Sequence, residues 1–517
     1  MLTTLFNRVQ EQSEVPSAWK RGRVVLIHKK GAKHEVNNYR PLTVLTSMNS
    51  VFSKTMNARL SDVVERHRLL GEVQNGFRKG RSGGDSAFIL NTILWKSSSK
   101  QKKVHVSFLD LQKAYDSVDR QILWSKLRKL GIGGKFLDSI ISLYSGDFVT
   151  STVNGVSTNP VYLGRGLRQG CSLSPLLFAL YIVDMSRDLV ASNLGVILKK
   201  ICISVLFFAD DVALIARTPE GLRKLHHIMQ KHCRDLNMKL STSKSKVMSS
   251  CSDAWELFEE DEIIGCLEKV LNFRYLGVET SLHPYQAAKA MRKRATQISN
   301  RYKGACMRIA RDGPDIVDLA ASLWTSIAIP SMLYGCETVP FTNKALLEIS
   351  RHQASIGKFC LGLPPCAPNV SAEIILGIKP FKQVVFASQL KFYVKLSLQD
   401  EDRWAKDALW DNLEGGWSSP YIKLLIDIKK EIGMRRWPRN AREVDIVLDN
   451  HFLVQTNQEI ERLSLPAVMP LTKRARMDHV NETFGSQVES KGFMSFYFDH
   501  INISGYSNQS SDRTMRL

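Results

Sequence analysis

The sequence predicts an α+β protein of more than one domain, strand-and-helix in its first half and helical and basic beyond it. Three observations carry that expectation. Between residue 20 and about 280, short β-branched runs alternate with amphipathic helical stretches. From about 284 to 400 the strand-like runs stop, and helical periodicity continues with clustered Lys and Arg. At 517 residues the chain exceeds one ordinary domain, so two to four are expected. The boundaries read from these shifts are 1–283, 284–400 and a weakly patterned 401–517. The last 40 or so residues, rich in Ser, Asn and Gln, read as poorly structured or truncated.

In order, residues 24–28 and 104–110 read as strands. Residues 120–130 read as a helix, with Ile122, Leu123, Leu127 and Leu130 at helical spacing. Asn154-Gly155, between polar-apolar alternations, signals a hairpin. Residues 221–240 predict a helix and 246–249 a strand. The acidic group Asp253, Glu256, Glu259, Glu260, Asp261 and Glu262 reads as a solvated face. HHIMQKHC (226–233) falls on a predicted helix without a second ligand pair, so packing or exposure explains it better than a metal.

Lys plus Arg total 71 against 50 acidic residues, a net charge of +21. Such an excess favours a polyanionic partner, because each cation on a phosphate releases condensed counterions. Nucleic acid comes first. No long basic amphipathic helix stands apart from a core, so no membrane partner is expected. The N-terminus lacks the apolar stretch of a signal peptide, and the most apolar segments, 175–183 and 205–216, are short or interrupted by charge. Nine cysteines without a CxxC pair fit a reducing compartment, cytoplasm or nucleus.

The chemistry concentrates in aspartates. In FFADDVALIA (207–216), two apolar runs flank Asp210-Asp211 and predict a tight hairpin turn. Adjacent carboxylates between strands this apolar repel one another, and a divalent cation removes that cost. In VHVSFLDLQKAYDSVD the run from Val104 ends at Asp110, where the pattern turns polar. If the two strands are neighbours, Asp110 and Asp210 share hard, oxygen-ligated cations, which is Mg²⁺ chemistry. Two ions about 3.5–4 Å apart activate a hydroxyl and stabilise a leaving pyrophosphate in an in-line displacement. Asp116 and Asp119 read instead as caps of the helix that starts near Val118.

FLDLQKAYDSVD, GLRQGCSLSPLLFALYI (166–182) and FADD resemble, in order, the palm motifs of non-long-terminal-repeat (LINE-type) retrotransposon reverse transcriptases. NNYRPLTVLTSMNSVFSKTMNARL (37–60) and QNGFRKGRSGGD (74–85) resemble that family's fingers. STSKSKVMSS (241–250), FRYLGV (273–278), LYGCETVPFT (333–342) and LGLPPCAPNVSAEIILGIKPF (361–381) resemble its later segments, so the likeness spans roughly 15–390. It implies a right-hand polymerase with fingers, an antiparallel palm sheet and a helical thumb, followed by a mostly helical C-terminal region. It implies an RNA-directed DNA polymerase with an RNA template, a DNA primer and deoxynucleoside triphosphates as partners, using two Mg²⁺ ions or substitute Mn²⁺.

The same resemblance gives residues their roles. Asp110, Asp210 and Asp211 are the catalytic metal ligands, and Tyr115 is the gate against a ribose 2′-hydroxyl. Gln169 and Gly170 lie against the nucleotide and template base, with Cys171 where the family often has Asp, a departure touching template contacts. Lys29 and Arg40 grip the triphosphate, and Lys244, with Lys246 close in register, neighbours the leaving phosphate. Lys289, Arg292, Lys293 and Arg294 hold nucleic-acid phosphates. Outside the resemblance, Arg435, Arg436, Trp437 and Arg439 form a basic-aromatic cluster with two readings, an exposed helix end, which is favoured, and a stacking surface for single-stranded RNA. Such elements usually carry an endonuclease. No nuclease motif follows residue 400, so a partial element is expected. Two rivals stay open: a degenerate or co-opted fragment that binds RNA without polymerising, and a group II intron maturase.

Overall fold

The computed structural model describes residues 1–432 except 30, 154–155, 253, 260, 263, 310–315 and 377, and then 438–440, 442–444 and 448. The chain forms two compact units: Met1–Leu276 with Asp402–Asp411, and Gly277–Glu401 with Asn412–Leu517.

The first unit holds two five-stranded sheets. In one, β1 (Arg21–His28) lies between antiparallel β2 (Tyr39–Leu45) and parallel β4 (Phe148–Val153). Two short strands, β5 (Val156–Ser157) and β6 (Val161–Tyr162), complete it. The Asn154-Gly155 turn lies outside the described residues, but the strands on either side pair as a hairpin, Val153 with Val156. A small hairpin of β7 (Val196–Leu198) and β8 (Ile201–Ile203) precedes the second sheet's central pair, β9 (Val205–Phe208) and β10 (Asp211–Ala216). With β3 (His105–Asp110), β11 (Lys246–Ser249) and β12 (Glu268–Lys269), the order is β12-β11-β3-β10-β9.

This second sheet is buried through most of β3 and β10, which explains why both read as near-continuous apolar runs. Strand alternation puts Val106, Phe108 and Asp110 on one face and His105, Ser107 and Leu109 on the other. The helix Pro219–Asp235 covers the second face, where His226 Nε2 meets Ser107 Oγ at 2.9 Å. Phe273 and Tyr275 cover the first, Phe273 stacked on Phe108 at 4.2 Å.

That helix is shorter than the 221–240 expected. Thr218 caps its start by accepting from Gly221 N–H, and Asn237, at φ +53, turns the chain out of it. A left-handed Asn just past the last turn is a common helix stop. The released segment runs back to β3, with Gln112 N–H donating to Lys239 O and Ser241 N–H to Asp110 O. His226, His227 and His232 each have a partner of their own, in Ser107, the Arg223 carbonyl and Asp188, and Cys233 is buried. The acidic patch is only partly solvated: Asp261 is buried, accepts from Ile264 N–H and pairs with Arg223. Asp253 and Glu260 lie outside the described residues.

Nothing in the sequence pattern signalled the return of Asp402–Asp411 to the first unit. Ion pairs hold it there: Arg403 with Glu72 and Asp85, Lys199 with Asp407, and Lys96 with Asp411. The second unit is helical, built on Pro284–Ile309, Asn343–Cys360 and Phe381–Ser397. Its core contains a buried polar chain in which Trp324 Nε1 donates to Gln353 Oε1 and Gln353 Nε2 to Glu373 Oε1. Among the described residues, no helix is long and apolar enough to cross a membrane.

Candidate active site

The β3–β10 ladder sets Asp110 directly opposite Asp211. Paired residues of antiparallel strands share a face, so both carboxylates stand at the same sheet end. Asp210 occupies the two-residue turn between β9 and β10, after Ala209, which has φ +57. The register thus brings Asp110, Asp210 and Asp211, the three aspartates read from the sequence, to one sheet end, with Asp211 the ladder partner of Asp110.

Burial pushes the Asp211 carboxyl up to about 6, and the charges of Asp210 and Asp110 add to the shift. Asp210 is also raised, chiefly by burial and further by Asp110, while Arg40 and Lys244 pull it down. Lys244 Nζ lies 3.3 Å from Asp110 Oδ2, whereas Lys246 pairs with Glu268, which separates the two lysines. The loop that brings Lys244 is stitched to β3, because Asp110 N–H donates to Ser245 Oγ.

A pocket opens between Asp110 and Asp211, lined by Phe108, Phe273 and Tyr275, with Lys244 beside it. The Tyr275 hydroxyl is buried there without a hydrogen-bond partner among the described residues. Burial raises it, and the Asp211 charge adds. The sequence likeness covers this stretch, FRYLGV (273–278), without singling out Tyr275.

Tyr115 stacks on Phe178 with centroids 5.2 Å apart and planes 21° apart. Burial raises its hydroxyl, and nearby Asp210 contributes. Asp119 caps the helix Arg120–Lys129 by accepting from Gln121 and Ile122 N–H, while Asp116 accepts from Gln169 Nε2 at 3.3 Å. Gln169 O accepts from Thr43 N–H at 2.7 Å, tying this segment to the strand that bears Arg40. Gly170 sits at φ +118, and a Cβ there would stand 2.4 Å from Thr43 O. Glycine is needed at this point for a close approach to β2. Cys171 is buried against Tyr144.

Arg40 pairs with Ile27 in the β1–β2 ladder, which Lys29 N–H extends by donating to Asn38 O. Lys29 and Arg40 are exposed and, by strand alternation, share a face. The LRQG segment is anchored by a hub the sequence did not reveal. Asp147, fully buried, accepts from Arg120 on Oδ1 at 2.8 Å and on Oδ2 at 3.1 Å, and from Arg168 on Oδ2 at 2.9 Å. In the second unit, Arg292 pairs with Glu348, and Arg294 donates to the carbonyls of Gly277, Ser331 and Tyr334. Lys289 and Lys293, one helical turn apart, are exposed. Arg435, Arg436 and Trp437 lie outside the described residues.

Carboxylate oxygens are hard donors that suit a divalent cation. Among the described residues, no three His, Cys, Asp or Glu side chains form a preformed cage. That is compatible with Mg²⁺, which is usually held by one or two carboxylates plus substrate phosphates and water.

Paired carboxylates at a sheet end, an adjacent DD turn and flanking cations form a site suited to divalent cations and a phosphate-bearing substrate. Residues 27–280 match the family described as reverse transcriptase (RNA-dependent DNA polymerase), so the chain carries a domain of that family. Its relatives are proteins of retrotransposable and other mobile elements. The retrovirus-related Pol polyprotein from type-1 retrotransposable element R2 of Popillia japonica is 26% identical over 368 residues, 69% of this chain and 50% of that protein. The probable RNA-directed DNA polymerase from transposon BS of Drosophila melanogaster is 25% identical over 47% of this chain and 27% of that one. The chain thus spans half or less of the length of the curated relatives it matches. Among solved structures, telomerase from Candida albicans in complex with a telomeric RNA fragment aligns over 79% of this chain and 70% of that one, at 11% identity and TM-score 0.37.

Proposed function

We propose that this protein extends a DNA primer on an RNA template, acting as the RNA-directed DNA polymerase of a non-LTR retrotransposon. One observation carries the reading. Asp110 and Asp211 face each other in register beside Asp210, and the ion pairs of the described residues include none that neutralises Asp210 or Asp211. A fold that brings like charges together at the end of a buried sheet leaves a site whose stability improves when cations arrive.

Asp110, Asp210 and Asp211 would hold two Mg²⁺ ions, with Mn²⁺ as a substitute. When bound, the ions supply charge neutralisation at the primer 3′-oxygen and at the leaving pyrophosphate. The rest falls to the chain's own groups. Arg40, Lys29 and Lys244 would bind the triphosphate and offset its charge. Tyr115, fixed by its stack on Phe178, would present a rigid ring against a 2′-hydroxyl. Gln169 and Gly170 would set the wall beside the templating base. Lys289 and Lys293 would hold the template–primer by its phosphates without reading sequence. The site of action would be the cytoplasm, the nucleus or both.

The test is synthesis on poly(rA)/oligo(dT) with deoxythymidine triphosphate and Mg²⁺, comparing the native chain with Asp210→Asn. The variant should lose at least about 10³-fold in rate while keeping RNA affinity, because only cation positioning is disrupted. Tight RNA binding by a native chain that makes no DNA would favour a co-opted fragment and overturn the proposal.

A further inference from the structure

The turn that carries Asp210 is not held by its own hairpin alone. Val73–Gly76, far away in sequence, runs along the outer edge of β9. Phe207 N–H donates to Val73 O at 2.8 Å, and Asn75 N–H donates to Phe207 O at 3.0 Å, around a parallel bridge of Gln74 with Phe207. This edge contact brings Gln74, 2% exposed, under the turn.

The Gln74 amide then closes a local circuit. Its Oε1 accepts from Ala209 N–H and from Gly76 N–H, each at 2.9 Å, and its Nε2 donates to Ala209 O at 3.4 Å. Both backbone groups of Ala209 are therefore held by one side chain. Ala209 immediately precedes Asp210 and sits at φ +57, a conformation that a residue with a Cβ adopts only when its surroundings enforce it. Gly76 allows the approach: a Cβ at that position would stand 2.4 Å from Ala209 N.

We infer that Gln74 is a positioning residue, a neutral clamp that fixes the left-handed Ala209 and thereby the place of the Asp210 carboxylate relative to Asp110 and Asp211. It touches neither substrate nor reacting atoms. A neutral amide suits this task, since a buried Lys or Arg here would neutralise the carboxylates and a carboxylate would add to their repulsion. The inference rests on the polymerase reading for its kinetic consequence and on the structure alone for the clamp.

Gln74→Met keeps the length and removes both the acceptor and the donor. Native chain and variant are compared by hydrogen exchange at the amides of Ala209 and Gly76, by the midpoint of thermal unfolding, and by steady-state synthesis on poly(rA)/oligo(dT). The clamp predicts faster exchange at Ala209 and Gly76 with the rest of β9 and β10 still protected. It predicts kcat lower by roughly 10²-fold, the scale of a misplacement of about 1 Å. The KM for deoxythymidine triphosphate and the affinity for template–primer should stay within about twofold, as for an interaction expressed only in the transition state. Gly76→Ala keeps the Gln74 amide but presses on the same turn, and should show the same split between kcat and KM.

Unchanged exchange at Ala209 in Gln74→Met overturns the clamp. A parallel loss of kcat, substrate affinity and β9–β10 protection overturns the positioning role and leaves only a general loss of fold. If the native chain makes no DNA, the polymerase reading and the kinetic role fall together, while exchange at Ala209 still decides whether Gln74 holds the turn.

Discussion

Removing Asp147 should do more damage than removing any surface charge of the same unit. Its carboxylate is 0% exposed and carries two guanidiniums, Arg120 on both oxygens and Arg168 on Oδ2. In Asp147→Leu, Arg120 keeps its bonds to the carbonyls of Gly166, Tyr144 and Leu163, so it is partly compensated. Arg168 keeps only Leu143 O and already has one buried nitrogen without a partner. The variant therefore buries a guanidinium whose charge nothing balances, a change that costs roughly 3–5 kcal/mol. For a unit of this size that corresponds to a thermal midpoint lower by roughly 6–20 °C. Thermal unfolding followed by circular dichroism measures it. The double variant Asp147→Leu with Arg168→Met isolates the cause, because an apolar pair in place of a buried ion pair is often neutral or stabilising. The double variant should recover most of the loss. A single variant within about 2 °C of the native midpoint, or a double variant that falls further, would refute the argument that the hub is held by charge compensation.

Three further outcomes follow from the same geometry. Tyr115→Ala removes a ring whose orientation Phe178 fixes, and discrimination against ribonucleotides should fall by roughly 10–10²-fold, measured as the ratio of kcat/KM for deoxythymidine and uridine triphosphates; unchanged sugar selectivity would remove Tyr115 from the gate. Lys289→Ala with Lys293→Ala should reduce the salt dependence of template–primer binding by about 0.7–0.9 in the log–log slope for each lysine, whereas Arg294→Ala should lower stability and leave the slope unchanged, because its donors already serve three carbonyls. Glu373 is buried, and burial pushes its carboxyl up to about 7, with only Gln353 opposing; since the folded value lies above the unfolded one, native stability declines as pH rises from about 4.5 through 7, and Glu373→Gln should be the more stable by up to about 3 kcal/mol at pH 8 but not at pH 4, so an equal gain at both would disprove the assignment.

Much of the site was legible because strand periodicity is a local signal. The apolar runs ending at Asp110 and flanking Asp210-Asp211 announce two strands and a turn, and both are present within a residue or two. Register is not local. Whether Asp210 or Asp211 faces Asp110 depends on which residues make the turn, and left-handed Ala209 assigns Asp210 to it. The basic run on Pro284–Ile309 shows the same limit. Lys289, Arg292, Lys293 and Arg294 look alike in sequence, yet helical phase and remote partners leave the two lysines exposed and engage the two arginines. Polar ties across long separations leave no periodic trace at all. Gln74 reaches Ala209 over 135 positions and Arg403 reaches Asp85 over 318, and hydrophobic patterning is blind to both.

The buried carboxylates of the first unit nonetheless sort themselves by what surrounds them. Asp147 is paired twice and fully enclosed, and Asp85 and Asp261 each have an arginine. Their charge is already spent within the fold, so binding a cation there would require breaking an ion pair. Around Asp110 and the DD turn, the backbone is fixed by neutral groups: Ser245 at Asp110 N–H, Ser241 N–H at Asp110 O, and Gln74 at Ala209. Among the described residues the cation paired with them is Lys244, on an exposed side chain 3.3 Å from Asp110, on a loop rather than in the core. Neutral fixation holds the geometry and leaves the negative charge uncompensated, which is what a site for exchangeable cations needs. These rigidly placed carboxylates, three negative charges against the one paired lysine, are the ones the proposed chemistry would use. Cationic residues introduced near them should be read by that rule: a buried Arg at position 74 would stabilise the carboxylates as charges and abolish cation-dependent synthesis, whereas an added surface Lys beside Lys244 would leave synthesis intact.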